Sequence, residues 1–165
     1  MTVLEKHTLI GKAIPKLDAP KKATGEARYV HDIQLPGMLV GRILRSDRVH
    51  ARILRIDTSA AEAVPGVHAV LTAAETPGVP LGRGRDNPPL KGDKVRCIRD
   101  EIAAVAAESD EIADQALRLI KVDYENLPAV FTPAEALKEG APLIHDKRPN
   151  NIPFTYEYSH GDVSL

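Results

Sequence analysis

Aromatic residues are scarce in this chain. Four tyrosines and two phenylalanines stand among 165 residues, and tryptophan is absent. Any core must therefore be aliphatic, built from Ala, Val, Ile and Leu. Cysteine occurs once, at Cys97. One thiol cannot close an internal disulfide, and no Cys/His group has the spacing of zinc ligands. Charge of one sign is lacking too: 22 basic residues face 23 acidic ones, for a net charge of −1. A general polyanion binder carries a large basic excess, so that class is disfavoured, although a local patch survives a neutral total. No apolar run approaches membrane-spanning length, and the opening MTVLEKHTLIGKAIP lacks the apolar stretch of a signal peptide. A reducing, cytoplasmic setting is the expectation.

What is present suffices for one domain with a real core, or one domain plus tails: 43% of the residues are hydrophobic. Residues 1–38 are punctuated by Pro15, Pro20, Gly25, Pro36 and Gly37. They read as an extended arm with one short strand near Ala27-Arg28-Tyr29-Val30. Residues 38–46 and 51–57 then say nearly the same thing twice, Arg42-Ile43-Leu44-Arg45 returning as Arg52-Ile53-Leu54-Arg55. As one helix, Arg42, Arg45, Arg48, Arg52 and Arg55 would form a basic stripe. The matching apolar stripe is broken by Asp47 and Arg48 and weakened by Gly41. Two strands joined by Asp47-Arg48-Val49-His50 fit better.

Ser59-Ala60-Ala61-Glu62 reads as a capping box opening a short helix that Pro65-Gly66 ends, and Val67–Thr72 reads as a strand. Residues 73–93, with Pro77, Gly78, Pro80, Gly82, Gly84, Pro88, Pro89 and Gly92, form a long loop of the kind that is functional or interfacial. Lys94–Ile98 and Ile102–Ala107 read as strands, the second small and apolar throughout and hence buried on both faces. Ser109 caps a helix from Asp110 to about Ile120, with acids at its start and Arg118 and Lys121 at its end. Val122–Glu125 is a further strand. Thr132-Pro133-Ala134-Glu135 is a second capping box, closed at Gly140, and Phe154–Ser159 is a candidate strand.

Residue chemistry yields no convincing active site. Ser46, Asp47 and His50 are the residue types of a hydrolytic triad, but three neighbours in one turn cannot reach that geometry. Cys97 sits in a short strand without a reactive signature. His31-Asp32 and His145-Asp146 are adjacent pairs with no metal-binding spacing. Gly82-Arg83-Gly84-Arg85 lacks the strand that a phosphate-cradling turn follows. Asp123 and Glu125 share a strand face that reads as solvated.

The pattern Gly11…Pro15-Lys16-Leu17-Asp18-Ala19…Lys22-Ala23-Thr24-Gly25-Glu26-Ala27-Arg28-Tyr29…Asp32…Leu35-Pro36-Gly37-Met38-Leu39 resembles the start of the large, molybdenum-binding subunit of the xanthine dehydrogenase and aldehyde oxidase family. Arg45-Ser46, His50-Ala51-Arg52-Ile53, Ile56-Asp57 and Pro65-Gly66-Val67 continue it. So do Lys94-Val95, Ala103–Ala107, Tyr124-Glu125, Leu127-Pro128 and Gly161-Asp162-Val163, in order over nearly the whole chain. Pro149-Asn150-Asn151-Ile152 adds a likeness to bacterial three-subunit enzymes of the 4-hydroxybenzoyl-CoA reductase type. The resemblance implies an α+β fold, the α/β hammerhead: small mixed β-sheets with two to three short helices. It implies an N-terminal arm over 1–17, the hammerhead over 18–140, and a linker over 141–165 toward a molybdopterin-binding domain. It also implies hydroxylation, or in one branch reductive dehydroxylation, at a molybdopterin centre. Electrons would pass through [2Fe–2S] clusters, and often FAD, in partner domains or subunits. No catalytic, cofactor-binding or metal residue is carried over. Asp18, Lys22, Thr24, Gly25, Tyr29 and Asp32 are the candidate contacts to the molybdopterin-binding, iron–sulfur or flavin partner. Arg99 stands where the family has a glycine free to take positive φ, so a reshaped turn is expected there. Two rival readings stay open: a free-standing module holding an anion or RNA on Arg42–Arg55, and a small enzyme built on Cys97 or the His-Asp pairs.

Overall fold

The computed structural model describes residues 9–76, 78, 81, 82 and 84–162. Pro77, Pro80, Arg83 and Val163, the first residues of the arm and the last of the linker lie outside them. The chain divides into two compact units, residues 1–38 and 39–165.

In the first unit, the expected extended arm contains a helix. The helix α1 (Ala19–Thr24) has Pro20 in its first turn, Lys21 and Lys22 in its last, and Gly25 at φ +78° as its left-handed stop. The Thr24 hydroxyl donates back to the Pro20 carbonyl at 3.0 Å. The strand expected near Ala27–Val30 is absent. Instead Val30–Asp32 makes a 3₁₀ turn, because Asp32 folds back and its carboxylate accepts the Tyr29 amide at 2.8 Å. Every described residue up to Met38 is exposed except Ala27, which is half-buried.

The second unit holds two three-stranded sheets. One has the order β1 (Val40–Arg45), β5 (Glu101–Ala107), β3 (Val67–Leu71). The other has the order β4 (Lys94–Val95), β2 (Ala51–Asp57), β6 (Lys121–Asn126). All the pairings are antiparallel, where mixed sheets were expected. The rhyming segments are two strands, as the broken apolar stripe indicates, and they lie in different sheets. The turn at residues 46–50 carries the chain from one sheet to the other.

The strand β5 is buried on one face and partly on the other, where Ile102 is buried and Ala104 and Ala106 are half-buried, and its two-residue period divides it between two cores. Ala103, Val105 and Ala107 pack with Ala61 and Val64 and with Ala113, Ala116 and Ile120. Ile102 points the other way and packs with Ala51, Ile53 and Val95 of the second sheet. Alanine on both sides lets α3 (Asp110–Leu119) lie close against the sheet. Ser109 caps that helix as expected, its hydroxyl accepting the Ile112 amide at 3.3 Å. The capping box of α4 (Pro133–Ala136) also forms, between Thr132 and Glu135.

Three local expectations fail for identifiable reasons. The box at Ser59–Glu62 does not form in α2 (Ser59–Glu62), because Asp57, two residues earlier, captures both the Ser59 amide and its hydroxyl. The strand at residues 94–98 stops at Val95, because the Asp100 carboxylate takes the amides of Arg96 and Cys97 out of the ladder at 2.6 and 3.2 Å. Residues 154–159 are irregular, and among the described residues they pair with no strand. Among the described residues, no helix is long and apolar enough to cross a membrane.

Ile102 has no solvent exposure and touches both layers. Ile102→Ala is expected to cost about 2–5 kcal/mol in urea denaturation. Leu54→Ala, at a position 61% exposed, should stay within about 0.5 kcal/mol.

Candidate functional site

The six candidate contact residues fall into two groups within the first unit. Asp18, Lys22 and Thr24 hold α1: Asp18 and Lys22 form an ion pair one turn apart, and Thr24 closes the last turn. Gly25, Tyr29 and Asp32 line a cleft of about 530 Å³ together with Ala27, Arg28 and His31. There the Tyr29 ring stacks on His31 with centroids 5.7 Å apart, and His31 Nε2 lies 3.4 Å from the Asp32 carboxylate. The unit also exposes large apolar side chains: Leu17 is fully exposed and Val30 is 85% exposed.

In the second unit the polar interest lies at the entry to β5. Lys91 is buried, and its ammonium donates to the Pro88 carbonyl at 3.0 Å and to Glu101 at 3.4 Å, with Asp100 3.9 Å away. Glu101 is shared with Arg45. Burial pushes the Glu101 carboxyl up, but hydrogen bonds from backbone, Arg45 and Lys91 hold it below its ordinary value. Asp100 organises the turn in front: it accepts two backbone amides and the Cys97 thiol at 3.3 Å. Burial and then Asp100 push that thiol up, so it is not a poised nucleophile. Arg99 takes φ +76° itself, so the positive-φ turn persists without glycine. Its amide donates to the Ser46 carbonyl at 2.9 Å and its carbonyl accepts from the Arg45 guanidinium at 3.0 Å. These bonds hold the strained residue in place.

The other sequence candidates resolve simply. The Ser46 hydroxyl bonds to Arg48 backbone, while His50 Nδ1 lies 2.6 Å from the Pro128 carbonyl. The two never meet, and the triad does not exist. The basic stripe does not exist either. Arg42 pairs with Asp110 and Asp114, Arg45 with Glu101, Arg48 with Asp47, Arg52 with Glu125 and Arg55 with Asp57. Among the described residues no three His, Cys, Asp or Glu side chains gather to hold a metal. A [2Fe–2S] cluster takes four cysteine ligands, so the residues of this chain do not fit that group.

Sequence reasoning missed the cleft where three segments meet, residues 84–88, 93–96 and 145–148, enclosing about 450 Å³. Arg148 staples it, donating to the Gly84 carbonyl at 2.9 Å and the Pro153 carbonyl at 3.3 Å while its Nε lies 3.5 Å from Asp86. A Cβ on Gly84 would sit 2.8 Å from the side-chain ends of both Asp86 and Arg148, so a larger residue there would displace these two groups. Asn151, at φ +57°, anchors the third segment by donating to the carbonyls of Ala136 and Pro142. The motif Pro149-Asn150-Asn151-Ile152 was the visible signal; its partners were too far off in sequence to be read.

The model of the aldehyde oxidase and xanthine dehydrogenase a/b hammerhead domain matches residues 24–128. The chain is 43% identical over 150 residues to a probable xanthine dehydrogenase subunit from Bacillus subtilis, covering 88% of this chain and 20% of that protein. It is 37% identical to the nicotinate dehydrogenase large molybdopterin subunit of Eubacterium barkeri, covering 95% of this chain and 37% of that one. Among solved structures, the aldehyde oxidoreductase of Desulfovibrio desulfuricans superposes with a TM-score of 0.76 at 32% identity, covering 84% of this chain and 17% of that one. The chain thus spans well under half the length of these relatives.

Replacing Arg99 by glycine should relieve a non-glycine positive φ. The relief of about 1–2 kcal/mol is offset in part by glycine's freedom in the unfolded chain. Arg99→Gly is therefore expected to stabilise by up to about 1 kcal/mol in thermal unfolding. Glu101 gives a pH test. Its folded value lies below the ordinary 4.5, so its contribution is complete above that pH and is lost as pH falls through the lower folded value. In Glu101→Gln, the decline in urea midpoint below pH 4.5 should be shallower than in the parent chain.

Proposed function

Because the chain belongs to the aldehyde oxidase and xanthine dehydrogenase family, as its α/β hammerhead domain, we propose that it is the docking and scaffold part of a molybdenum hydroxylase. The redox chemistry, at a molybdopterin centre with [2Fe–2S] clusters and FAD, is held by other domains or subunits in the cytoplasm. Residues 18–140 are the hammerhead, preceded by the arm and followed by a linker over 141–165 toward the molybdopterin-binding domain. The iron–sulfur subunit, and where present the flavin subunit, are the further partners.

The observation that carries this reading is the first unit, residues 1–38. A segment of some thirty described residues with no buried side chain, yet with Leu17 and Val30 turned outward, cannot draw its order from its own packing. It is shaped to lie on another surface, with Gly25, Tyr29 and Asp32 around one recess. The breadth of the relatives agrees. Comparable identity to proteins named for xanthine and for nicotinate is what a substrate-indifferent scaffold gives. The RNA-binding alternative draws no support from Arg42–Arg55, since each of the five arginines has an acidic partner.

Co-expressed with a molybdopterin-binding and an iron–sulfur subunit of this family from its own source, the chain should co-purify with at least one of them. Leu17→Ser combined with Tyr29→Ala should lower that recovery several-fold. The unfolding of residues 39–165 should move by no more than about 0.5 kcal/mol. Recovery of neither subunit at low salt would overturn the proposal.

A further inference from the structure

The stapled cleft at residues 84–88, 93–96 and 145–148 is more than a seam between loops. Each acid in it is already engaged. Asp86 faces His145 Nδ1 at 3.4 Å and the Arg148 Nε, Asp146 accepts from the Lys94 ammonium at 2.8 Å, and Asp93 accepts the Lys94 amide at 2.7 Å with Arg96 3.7 Å away. The cations are not so matched. Among the described residues Arg85 and Lys147, both lining the cleft, have no ion pair, and the Arg96 Nε is buried without an acceptor. Arg85 is moreover held at φ +48°, a conformation that costs energy and gathers at ligand clamps. Burial, with Arg96, Lys94 and Arg148 acting in the same sense, keeps His145 below the ordinary histidine value against the pull of Asp86. Four cations, Arg85, Arg96, Lys147 and Arg148, line the cleft against three acids, Asp86, Asp93 and Asp146, so its lining carries a net positive charge.

We propose that this cleft is a binding site for a small oxyanion of the phosphate class, held by Arg85, Arg96 and Lys147. Guanidinium and ammonium donors around a recess of this size suit phosphate oxygens. A second recess of about 530 Å³ shares Gly84, Asp86, His145 and Arg148 and continues past Ile144 and Pro153. It offers an apolar wall to the organic body of a phosphate ester. The site is formed wholly by residues of the second unit and does not depend on the docking reading.

The test is an NMR titration of the 165-residue chain with inorganic phosphate and, separately, with AMP. Saturable shifts confined to the amides of residues 84–86, 96 and 145–148 are expected, weakening as salt is raised. The double variant Arg85→Ala, Lys147→Ala, which leaves the Arg148 staple in place, should keep the fold by circular dichroism. It should weaken binding about tenfold or more, the loss that goes with a charge-assisted hydrogen bond. AMP tighter than phosphate would assign the source as a phosphate ester using the apolar recess; equal affinity would assign it as the free anion. Shifts that do not saturate, shifts spread over surface lysines elsewhere, or unchanged affinity in the double variant would overturn the proposal.

Discussion

One strand carries the second unit. The strand β5 lies between β1 and β3 in its own sheet and also turns Ile102 into the core of the other. A strand serving two cores has little solvated surface, and after Glu101 every residue of it is apolar. With helices to seat on one side it must also be small. Ala103, Ala104, Ala106 and Ala107 answer both demands. A ring on this face of β5 would push α3 off the sheet.

The polar residues at the entrance to β5 complete that arrangement. Lys91 is a buried cation, and a buried cation is tolerable only with its partners in place. Glu101 and the Pro88 carbonyl supply them, and Arg45 from β1 shares Glu101. Asp100 turns the preceding backbone and Arg99 accepts a conformation unsuited to it, so that β5 enters its sheet in register. The β-bulge at Leu44/Arg45 lies opposite this entrance. The strain therefore sits where the two sheets separate.

Local features were legible in the sequence. The caps at Ser109 and Thr132, the two-faced strand at residues 102–107 and the separation of the two arginine segments all rest on neighbours within a few residues. Pairings across the chain were not legible. The arginines look like a stripe until antiparallel register sets Arg52 opposite Glu125, and folding brings Arg42 to Asp110 and Arg45 to Glu101. The helix α1 was hidden because Pro20 and Gly25 read as loop punctuation when they are its start and stop. The six contact candidates came from the family resemblance alone: the Asp18–Lys22 pair needs the hidden helix α1, and the recess around Gly25, Tyr29 and Asp32 depends on Asp32 folding back onto Tyr29.

The placing of β5 has a consequence for how the polypeptide is made. Its partners β1 and β3 both leave the ribosome first, as does β2, whose other neighbour β6 comes later still. At about 5–20 residues per second, the nascent chain spends several seconds with three strands synthesised and no central one to zip them. The same long-range closures mark slow-folding topologies. Arg42, Arg45 and Arg52, without their later acids during that interval, are charged gatekeepers on otherwise sticky segments.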